Sequence, residues 1–229
     1  MKAKLRLDAE NFRVRVAREK RERMYARLLA ATMEVCSKRN GLEFAVIDDV
    51  IKAANVSRGT FYKHFDTLGQ AFAALGSQLV DDTVRALAAM FEGVDDPLHR
   101  TSSGLQLMLI HAIVDPIWAG FVVHTDHLKS DSIIASAIRA NTAAGRKCGV
   151  FKFKSIEAAV DLQLGSTREG IWQILHVTRD RKAYIKDLAT MNLLALGISR
   201  AKALRVVERA EADILKRGPA CLPWWKPFE

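Results

Sequence analysis

The stretch VIDDVIKAANVSRGTFYKHF, residues Val46 to Phe65, decides the fold of this chain. It predicts two short helices joined by a tight turn. The first predicted helix, Val46 to Ala54, carries a stripe of apolar side chains that can face a core: Ile47, Val50, Ile51 and Ala54. Asn55 follows, and asparagine tolerates the left-handed backbone with which a chain leaves a helix. The turn between the two helices is therefore predicted at Asn55.

The second predicted helix runs from Arg58 to about His64. Ser57 precedes it as an N-cap, since its hydroxyl can accept a backbone N–H from the first turn. Phe61 and Phe65 are one turn apart and are predicted to face inward. The polar side chains left facing outward are Arg58, Thr60, Tyr62, Lys63 and His64. A short helix with a buried aromatic edge and an outward row of donors suits the major groove of DNA.

This stretch resembles the helix-turn-helix of the tetracycline-repressor (TetR) family of transcriptional regulators. The residues that match the family pattern are Ala54, Val56, Ser57, Gly59, Thr60, Tyr62, His64, Phe65 and Leu68. The chain departs from the pattern at Val46, where a capping Thr is common, at Asn55, which replaces a turn glycine, and at Ile51, which replaces a small alanine. The motif match covers about residues 20–75. From the residues alone, a helical hairpin with its polar side chains in solvent is the alternative.

The resemblance implies an all-α fold, with an N-terminal three-helix helix-turn-helix domain and a larger helical domain for ligand binding and dimerisation. The residues that it places at DNA are Val46, Ile47, Ser57, Arg58, Gly59, Thr60, Tyr62, Lys63 and His64. Arg58 is the preferred base reader, because a guanidinium can bind guanine in bidentate fashion. Lys63 and His64 are expected to fix the position of the domain on phosphates.

The charge of the chain is concentrated next to this motif. The formal net charge is +9, and residues 1–27 alone hold ten Lys or Arg against four Asp or Glu, a net charge of +6. Such a segment attracts a polyanion and releases its counterions; a solvated helix face is the alternative. Residues 1–17 are expected to form a flexible basic arm or to extend the first helix. The alternation of Phe12, Val14 and Val16 is also strand-like, so the conformation stays open.

Composition restricts the class of protein. An apolar fraction of 49% with only 13 Gly and 5 Pro among 229 residues favours a globular helical protein. No apolar run reaches membrane-spanning length and no signal peptide is visible. Cys36, Cys148 and Cys221 lack metal-ligand spacing, which is typical of reduced thiols in a cytoplasmic protein. We expect no cofactor, no metal and no membrane partner.

The chain divides into three predicted regions: residues 1–75 for DNA binding, 76–217 for effector binding and dimerisation, and a non-helical tail, 218–229. Periodicity predicts helices at about residues 19–39, 68–91, 101–118, 130–148, 155–177 and 181–216, with a short aromatic segment at 119–128. In TetR-like proteins the final two long helices form the dimer. The predicted interface residues are Val160, Leu164, Thr167, Ile171, Leu175, Leu188, Met191, Ala195 and Ile198. The alternative is that these residues only close the core of one chain.

A pocket between helices should be mostly apolar with a few inward polar groups. The candidate ligand residues are Met108, His111, Trp118, Phe121, His124, Asn141, Trp172, Gln173 and His176. Core or surface positions are the alternative for each of them. His124, Asp126 and His127 form a polar trio, but His-x-x-His without a matched carboxylate is a weak metal signal.

Together these features predict a cytoplasmic homodimeric regulator that represses from a palindromic operator and is released by a small apolar or aromatic effector. A DNA-binding regulator controlled by a protein partner, or without any effector, shares every feature of the first domain. An enzyme is not expected, because no nucleophile–base pair, phosphate-cradling loop or metal-ligand set stands out.

Overall fold

The computed structural model of the chain describes residues 2–38, 45–124, 132–177 and 179–228, with side chains from Val14 onward. The helices are α1 (Lys2–Lys38), α2 (Ile47–Ala54), α3 (Arg58–Tyr62), α4 (Leu68–Phe91), α5 (Pro97–Val114), α6 (Pro116–Val123), α7 (Ile133–Lys147), α8 (Ile156–His176), α9 (Arg181–Ala195) and α10 (Arg200–Cys221). All regular structure in these ranges is helical, which confirms the all-α prediction.

The N-terminal domain packs α1, α2, α3 and the start of α4 around a small core. Its most buried members are Leu28, Leu29, Cys36, Val50, Ala54, Phe61, Phe65, Ala71 and Leu75. Phe121 of α6 joins this core from the larger domain. The contact between α1 and α6 is close, since a Cβ on Gly120 would meet Ser37 Oγ at 2.2 Å. A glycine is therefore required where the two domains touch.

Helix α4 belongs to both domains. Thr67 caps its start by accepting a hydrogen bond from the backbone N–H of Gln70 at 3.1 Å. Ala71 and Leu75 near that end are buried in the small core, whereas Met90 near the other end is buried in the large one. The predicted bounds of this helix, 68–91, are confirmed.

The larger domain is built around α5, most of whose residues are buried. Helices α7, α8, α9 and α10 pack against it. The predicted break at Pro116 is confirmed: Asp115 caps α6 by accepting the backbone N–H groups of Ile117 and Trp118, and α6 leaves at 119° to α5. In the described ranges no single helix has both the length and the hydropathy of a membrane span; α5 and α6 meet the test only as a bent pair.

The C-terminal region differs from the prediction of one long helix, 181–216, followed by a non-helical tail. Gly197 adopts φ 86° between α9 and α10, and Lys152 N–H donates to Leu196 O at 2.9 Å across this turn. Helix α10 then continues to Cys221 and contains Pro219. Trp225 packs so closely on Gly218 that a Cβ there would meet its ring at 2.4 Å. The returning tail therefore covers the last turn, and the non-helical part of the tail that the structure describes is residues 222–228.

Two other boundaries move. Helix α1 begins at Lys2, so the basic N-terminal segment extends the first helix instead of forming an arm or a strand. Helix α5 begins four residues before the predicted start, because Asp96 caps it and Pro97 occupies its first turn. Asp126 and His127 of the predicted polar trio lie outside the described residues.

Candidate DNA-reading surface and internal cavity

The turn between α2 and α3 has the predicted geometry. Asn55 is left-handed, with φ 49° and ψ 58°, and the backbone N–H of Val56 donates to Ile51 O at 3.1 Å. At the start of α2, Asp49 accepts a long hydrogen bond of 3.4 Å from the N–H of Val46. The side chain of Val46 has no acceptor of its own, so the loss of the usual capping Thr is only half compensated.

Helix α3 is held by its cap and by two phenylalanines. Ser57 Oγ accepts the backbone N–H of Thr60 at 3.2 Å, which confirms the predicted N-cap. Phe61 and Phe65 are buried with ring centroids 5.7 Å apart, as predicted. Tyr62 is 47% exposed on the opposite side. The burial of the two phenylalanines sets the rotation of α3 and thereby the face that it presents to solvent.

All nine residues predicted at DNA lie on this one exposed unit. Val46, Ser57, Arg58, Gly59, Tyr62 and Lys63 are exposed, and Ile47, Thr60 and His64 are half-buried. A Cβ added at Gly59 would meet only Ser57 Oγ, at an ordinary 3.9 Å. Packing within the described residues therefore does not require a glycine at this position.

An ion pair that the sequence reasoning missed holds Arg58. Its guanidinium lies 2.8 Å from Asp48 Oδ1, and both side chains are well exposed. The pair joins the first turn of α2 to the first turn of α3. Asp48 therefore fixes the direction of the guanidinium, and it also competes with any base or phosphate for the same N–H groups.

Helix α1 adds two residues to the edge of this surface. The ring of Tyr25 packs on Phe65, with centroids 5.2 Å apart, and lies 6.2 Å from the ring of His64. Burial lowers the pKa of His64, and the positive charge of Arg21 lowers it further. At neutral pH His64 is therefore a neutral hydrogen-bonding group. The signal in the sequence was the spacing of Arg21 and Tyr25, which places them on one helical face.

A cavity of about 340 Å³ lies in the larger domain, between α4, α5, α7, α8 and α9. Most of its wall is apolar: Val84, Leu87, Ala88, Phe91, Gly104, Leu105, Met108, Ile134, Ala137 and Ile138. Its polar residues are Arg100, Thr101, Asn141, Gln163, Thr167 and Asn192. This combination of size and lining is typical of a site for a small organic molecule.

The polar part of the wall is an ordered network. Asn141 Nδ2 donates to Pro97 O at 3.0 Å and to Thr101 Oγ1 at 2.9 Å. Gln163 Nε2 donates to Thr142 Oγ1 at 3.0 Å and to Ala159 O at 2.9 Å. Such bonds lock the carboxamides in place and leave their oxygens as the free polar atoms.

Solved structures share this architecture. RolR in complex with resorcinol superposes with a TM-score of 0.63 at 25% identity, covering 83% of this chain and 96% of RolR. The fatty acid degradation regulator FadR from Bacillus halodurans gives 0.63 at 18% identity, covering 74% of this chain and 94% of FadR. A TetR-family regulator from Pectobacterium atrosepticum gives 0.53 at 22% identity, over 79% of this chain and 96% of that one. The chain has the TetR-family fold.

One curated relative supports a regulator of the helix-turn-helix class from sequence. An uncharacterized HTH-type transcriptional regulator of Bacillus subtilis, YvdT, is 32% identical over 72 residues, which is 31% of this chain. The match spans only 37% of that relative's length. No protein-family model matches the chain. The comparisons therefore support a transcription regulator of the helix-turn-helix class and assign no operator or effector.

Two of the nine predicted ligand residues, Met108 and Asn141, line the cavity of this TetR-like fold. His111 instead stacks between Trp118 and Trp224, with ring centroids 3.8 and 4.0 Å away. Burial lowers the pKa of His111 to about 3. These rings pack the C-terminal tail against α5. His111 and Trp118 do share one face, as their spacing predicted, but that face holds the tail and does not line the cavity.

The other predicted ligand residues lie elsewhere. Phe121 is buried in the core of the N-terminal domain. Trp172 and His176 are exposed on α8 with ring centroids 4.9 Å apart, Gln173 beside them is half-buried, and burial lowers the pKa of His124. The polar cavity residues that sequence reasoning missed are Arg100, Thr101, Gln163 and Asn192, and Thr167 lines the cavity although it was assigned to the dimer.

The predicted dimer stripe also needs a correction. Val160, Leu164, Thr167, Ile171 and Ile198 are buried within the chain itself, so their side chains are not available to a second copy. Leu175 and Leu188 are half-buried, and Met191 and Ala195 are exposed. The stripe that α8 and α9 leave in solvent is Leu162, Gly165, Trp172, Met191, Leu194 and Ala195. We call this set the exposed α8–α9 stripe.

Proposed function

We propose that this protein is a homodimeric transcriptional repressor that binds a palindromic operator and leaves it when a small, largely apolar effector fills the cavity. The observation that carries the proposal is the course of α4. This one helix begins in the core under α3, at Ala71 and Leu75, and contributes Leu87 and Phe91 to the cavity wall. A ligand and a DNA duplex would therefore act on the two ends of one rigid element.

The DNA-binding part of the proposal depends on α3. Its exposed edge offers a guanidinium at Arg58, a phenol at Tyr62 and an ammonium at Lys63. Arg58 would read a guanine edge, while Lys63 and the neutral His64 would bind phosphate oxygens. Packing within the chain does not require a glycine at position 59. Gly59 would instead allow the sugar–phosphate backbone of DNA to approach α3 closely. The exposed basic residues of α1 would add charge neutralisation.

The coupling depends on a rotation of α4. An effector between Leu87 or Phe91 and the residues of α5 and α7 would favour the position of α4 that makes most room for it. Two α3 helices in a dimer read half-sites about 34–36 Å apart, so a tilt of both α4 helices would change the fit to the operator. The effector weakens DNA binding only as far as it binds the tilted state more tightly than the other state. The resulting loss of DNA affinity is typically about 5- to 150-fold.

Dimerisation is assigned to the exposed α8–α9 stripe. Met191 is 64% exposed and Trp172 is 39% exposed, both large fractions for such side chains on neighbouring helices. Two copies of a helix pair can bury such faces as a four-helix bundle with an isologous interface. A regulator with no small-molecule effector remains the second candidate from the sequence, and the presence of the cavity favours the first.

The test begins with an operator. Duplexes selected from a randomised pool by the purified protein provide it, and fluorescence anisotropy then gives the affinity at fixed salt concentration. We expect a dimer mass by light scattering with and without duplex. A library of small neutral aromatic compounds is screened for a rise in Tm, and those that bind should weaken operator binding about 5- to 150-fold. Compounds that raise Tm without changing operator affinity would contradict the effector part of the proposal.

Arg58→Ala is the matched test of the DNA-reading part. Its operator affinity should fall by about 1–3 kcal/mol with relaxed specificity at one base pair, because one bidentate contact is lost. Arg205→Ala, on α10, is the control and should leave operator affinity unchanged. Equal weakening by Arg58→Ala on operator and on random duplex would instead assign Arg58 to a phosphate.

A further inference from the structure

The cavity wall presents hydrogen-bond acceptors on three different helices. Asn141 on α7, Gln163 on α8 and Asn192 on α9 all line it with carboxamide groups. Both N–H bonds of Asn141 and both of Gln163 are already donated to protein oxygens. Among the described residues nothing donates to either carboxamide oxygen. The hydroxyl of Thr167 is also engaged, since it donates to Gln163 O at 2.7 Å.

Asn192 is the strongest indication that something is missing. Only 5% of this residue is exposed, and in the described part of the chain its Oδ1 has no hydrogen-bond partner. Leaving a buried acceptor unpaired costs free energy, and native proteins keep few such atoms without a reason. A ligand that supplies a donor to this oxygen would remove that cost.

The hydrogen bonds around Asn192 show how its amide is oriented in the structure. The hydroxyl of Ser166 donates to Gln163 O at 3.1 Å and accepts a hydrogen bond from Asn192 Nδ2 at 2.7 Å. With the amide in this orientation the unpaired atom of Asn192 is its oxygen.

We infer that the cavity binds an uncharged, largely apolar molecule that carries at least one O–H or N–H donor, and that Asn192 Oδ1 accepts a hydrogen bond from it. The inference rests on the proposed function for its site and specifies the chemistry of the effector. A carboxylate has only acceptors and could not satisfy an unpaired carboxamide oxygen. Among the described residues of the wall Arg100 is the one cation; its Nε donates to Val94 O and its guanidinium lies 5.7 Å from the Phe91 ring centroid.

The experiment uses three probes with one ring system: 2-naphthol, 2-methoxynaphthalene and 2-naphthoate. The first has a donor, the second has an oxygen without a donor, and the third is an anion. We expect the wild-type chain to bind 2-naphthol about tenfold more tightly than the ether, by calorimetry and by the rise in Tm, because only the naphthol satisfies the buried oxygen. The naphthoate should bind most weakly.

Asn192→Leu should reduce the ratio between naphthol and ether to about one. Gln106→Leu is the matched control: Gln106 is also a buried carboxamide, but it bonds Ser102 Oγ and Val207 O away from the cavity. This control should keep the wild-type ratio. The comparison of naphthol with its ether on the wild-type chain needs no variant, so a variant that fails to fold does not remove the test.

Equal affinity for naphthol and ether, tightest binding of the naphthoate, or no binding of any probe would overturn the inference. Operator affinity separates it from the proposed function. If naphthol binds as expected and the operator stays bound, the inference stands and the effector role fails. If instead the ether releases the operator as well as the naphthol does, the effector role stands and the donor requirement fails.

Discussion

The helix-turn-helix and the cavity domain differ in how their functional residues are arranged along the chain. The residues of the reading surface from Val46 to Phe65 are adjacent in sequence, with only Arg21 and Tyr25 of α1 added at its edge, and its cap, turn and buried ring are each a local signal. The cavity takes residues from five helices between Val84 and Asn192. A surface made by one turn can be deduced from neighbouring residues, whereas a cavity depends on how distant helices meet.

The largest expected effect tests the buried ring of the reading surface. Phe61→Ala should destabilise the N-terminal domain by about 3–5 kcal/mol, because Phe61 is fully buried and its removal leaves a cavity under α3. Urea unfolding followed by circular dichroism measures this. Tyr62→Ala, one residue away and exposed, should lose operator affinity with little change in stability. A similar loss of stability in both variants would mean that α3 is rotated from the orientation described.

The next effect tests the surface that distant residues form. Met191→Asp should weaken the dimer by about 2–3 kcal/mol, because dimerisation through the exposed α8–α9 stripe would bury an unpaired carboxylate. Sedimentation equilibrium measures the dissociation constant. Leu204→Asp on α10 is the control, as Leu204 is also exposed but lies outside the stripe. Unchanged dimerisation in the first variant, or loss of the dimer in the control alone, would move the interface away from α8 and α9.

Sequence reasoning predicted where the long helices lie but not which of their faces is buried. Helix α8 carries apolar side chains on both faces, with Leu164 in the core and Leu162 in solvent, so periodicity alone does not say which stripe faces outward. The cavity residue Asn192 carries no local signal, because an asparagine inside a helix looks the same over a cavity or over solvent. Cap and turn residues such as Ser57 and Asn55 were predictable, since their effect is on their own backbone.

Two missed features had local signals that were outweighed. Gly197 followed by Ser199 predicts a helix end and a new cap, yet the apolar rhythm of residues 184–198 favoured one continuous helix. Pro219 suggested that the helix had ended, since a proline lacks the N–H that bonds the carbonyl four residues earlier, but Trp225 packs over that turn and the helix continues to Cys221. Tertiary packing decided both cases.

A smaller effect tests the stacked rings around His111. Burial lowers the pKa of His111 from 6.5 to about 3, so the folded state holds the neutral ring while the unfolded chain takes up a proton below pH 6.5. The stability contributed by the neutral ring is complete above pH 6.5 and is lost as the pH falls toward 3. Between pH 6.5 and 5 we expect a loss of about 2 kcal/mol from this residue.

The measurement is urea unfolding across this pH range, followed by tryptophan fluorescence. His111→Phe keeps a stacked ring without a proton site and should flatten the dependence by that amount. A slope that His111→Phe leaves unchanged would show that the ring between Trp118 and Trp224 takes up its proton as easily in the folded chain as in the unfolded one.

The smallest expected effect returns to the reading surface and concerns Asp48. Asp48→Asn keeps the shape of the side chain but removes its charge, so it weakens the contact with Arg58. Both side chains are exposed, and a surface ion pair contributes at most about 1 kcal/mol, so stability should change little. Affinity for random duplex should rise by about 0.5–1 kcal/mol, because a freed guanidinium binds phosphates and a negative charge has left the surface. The ratio of operator to random affinity should fall, since Asp48 no longer directs Arg58.

Anisotropy titrations at two salt concentrations measure both quantities, and Asp66→Asn, at an exposed carboxylate beyond α3, is the control. An unchanged ratio would mean that the guanidinium finds its base without guidance, and the reading surface would then depend on α3 alone.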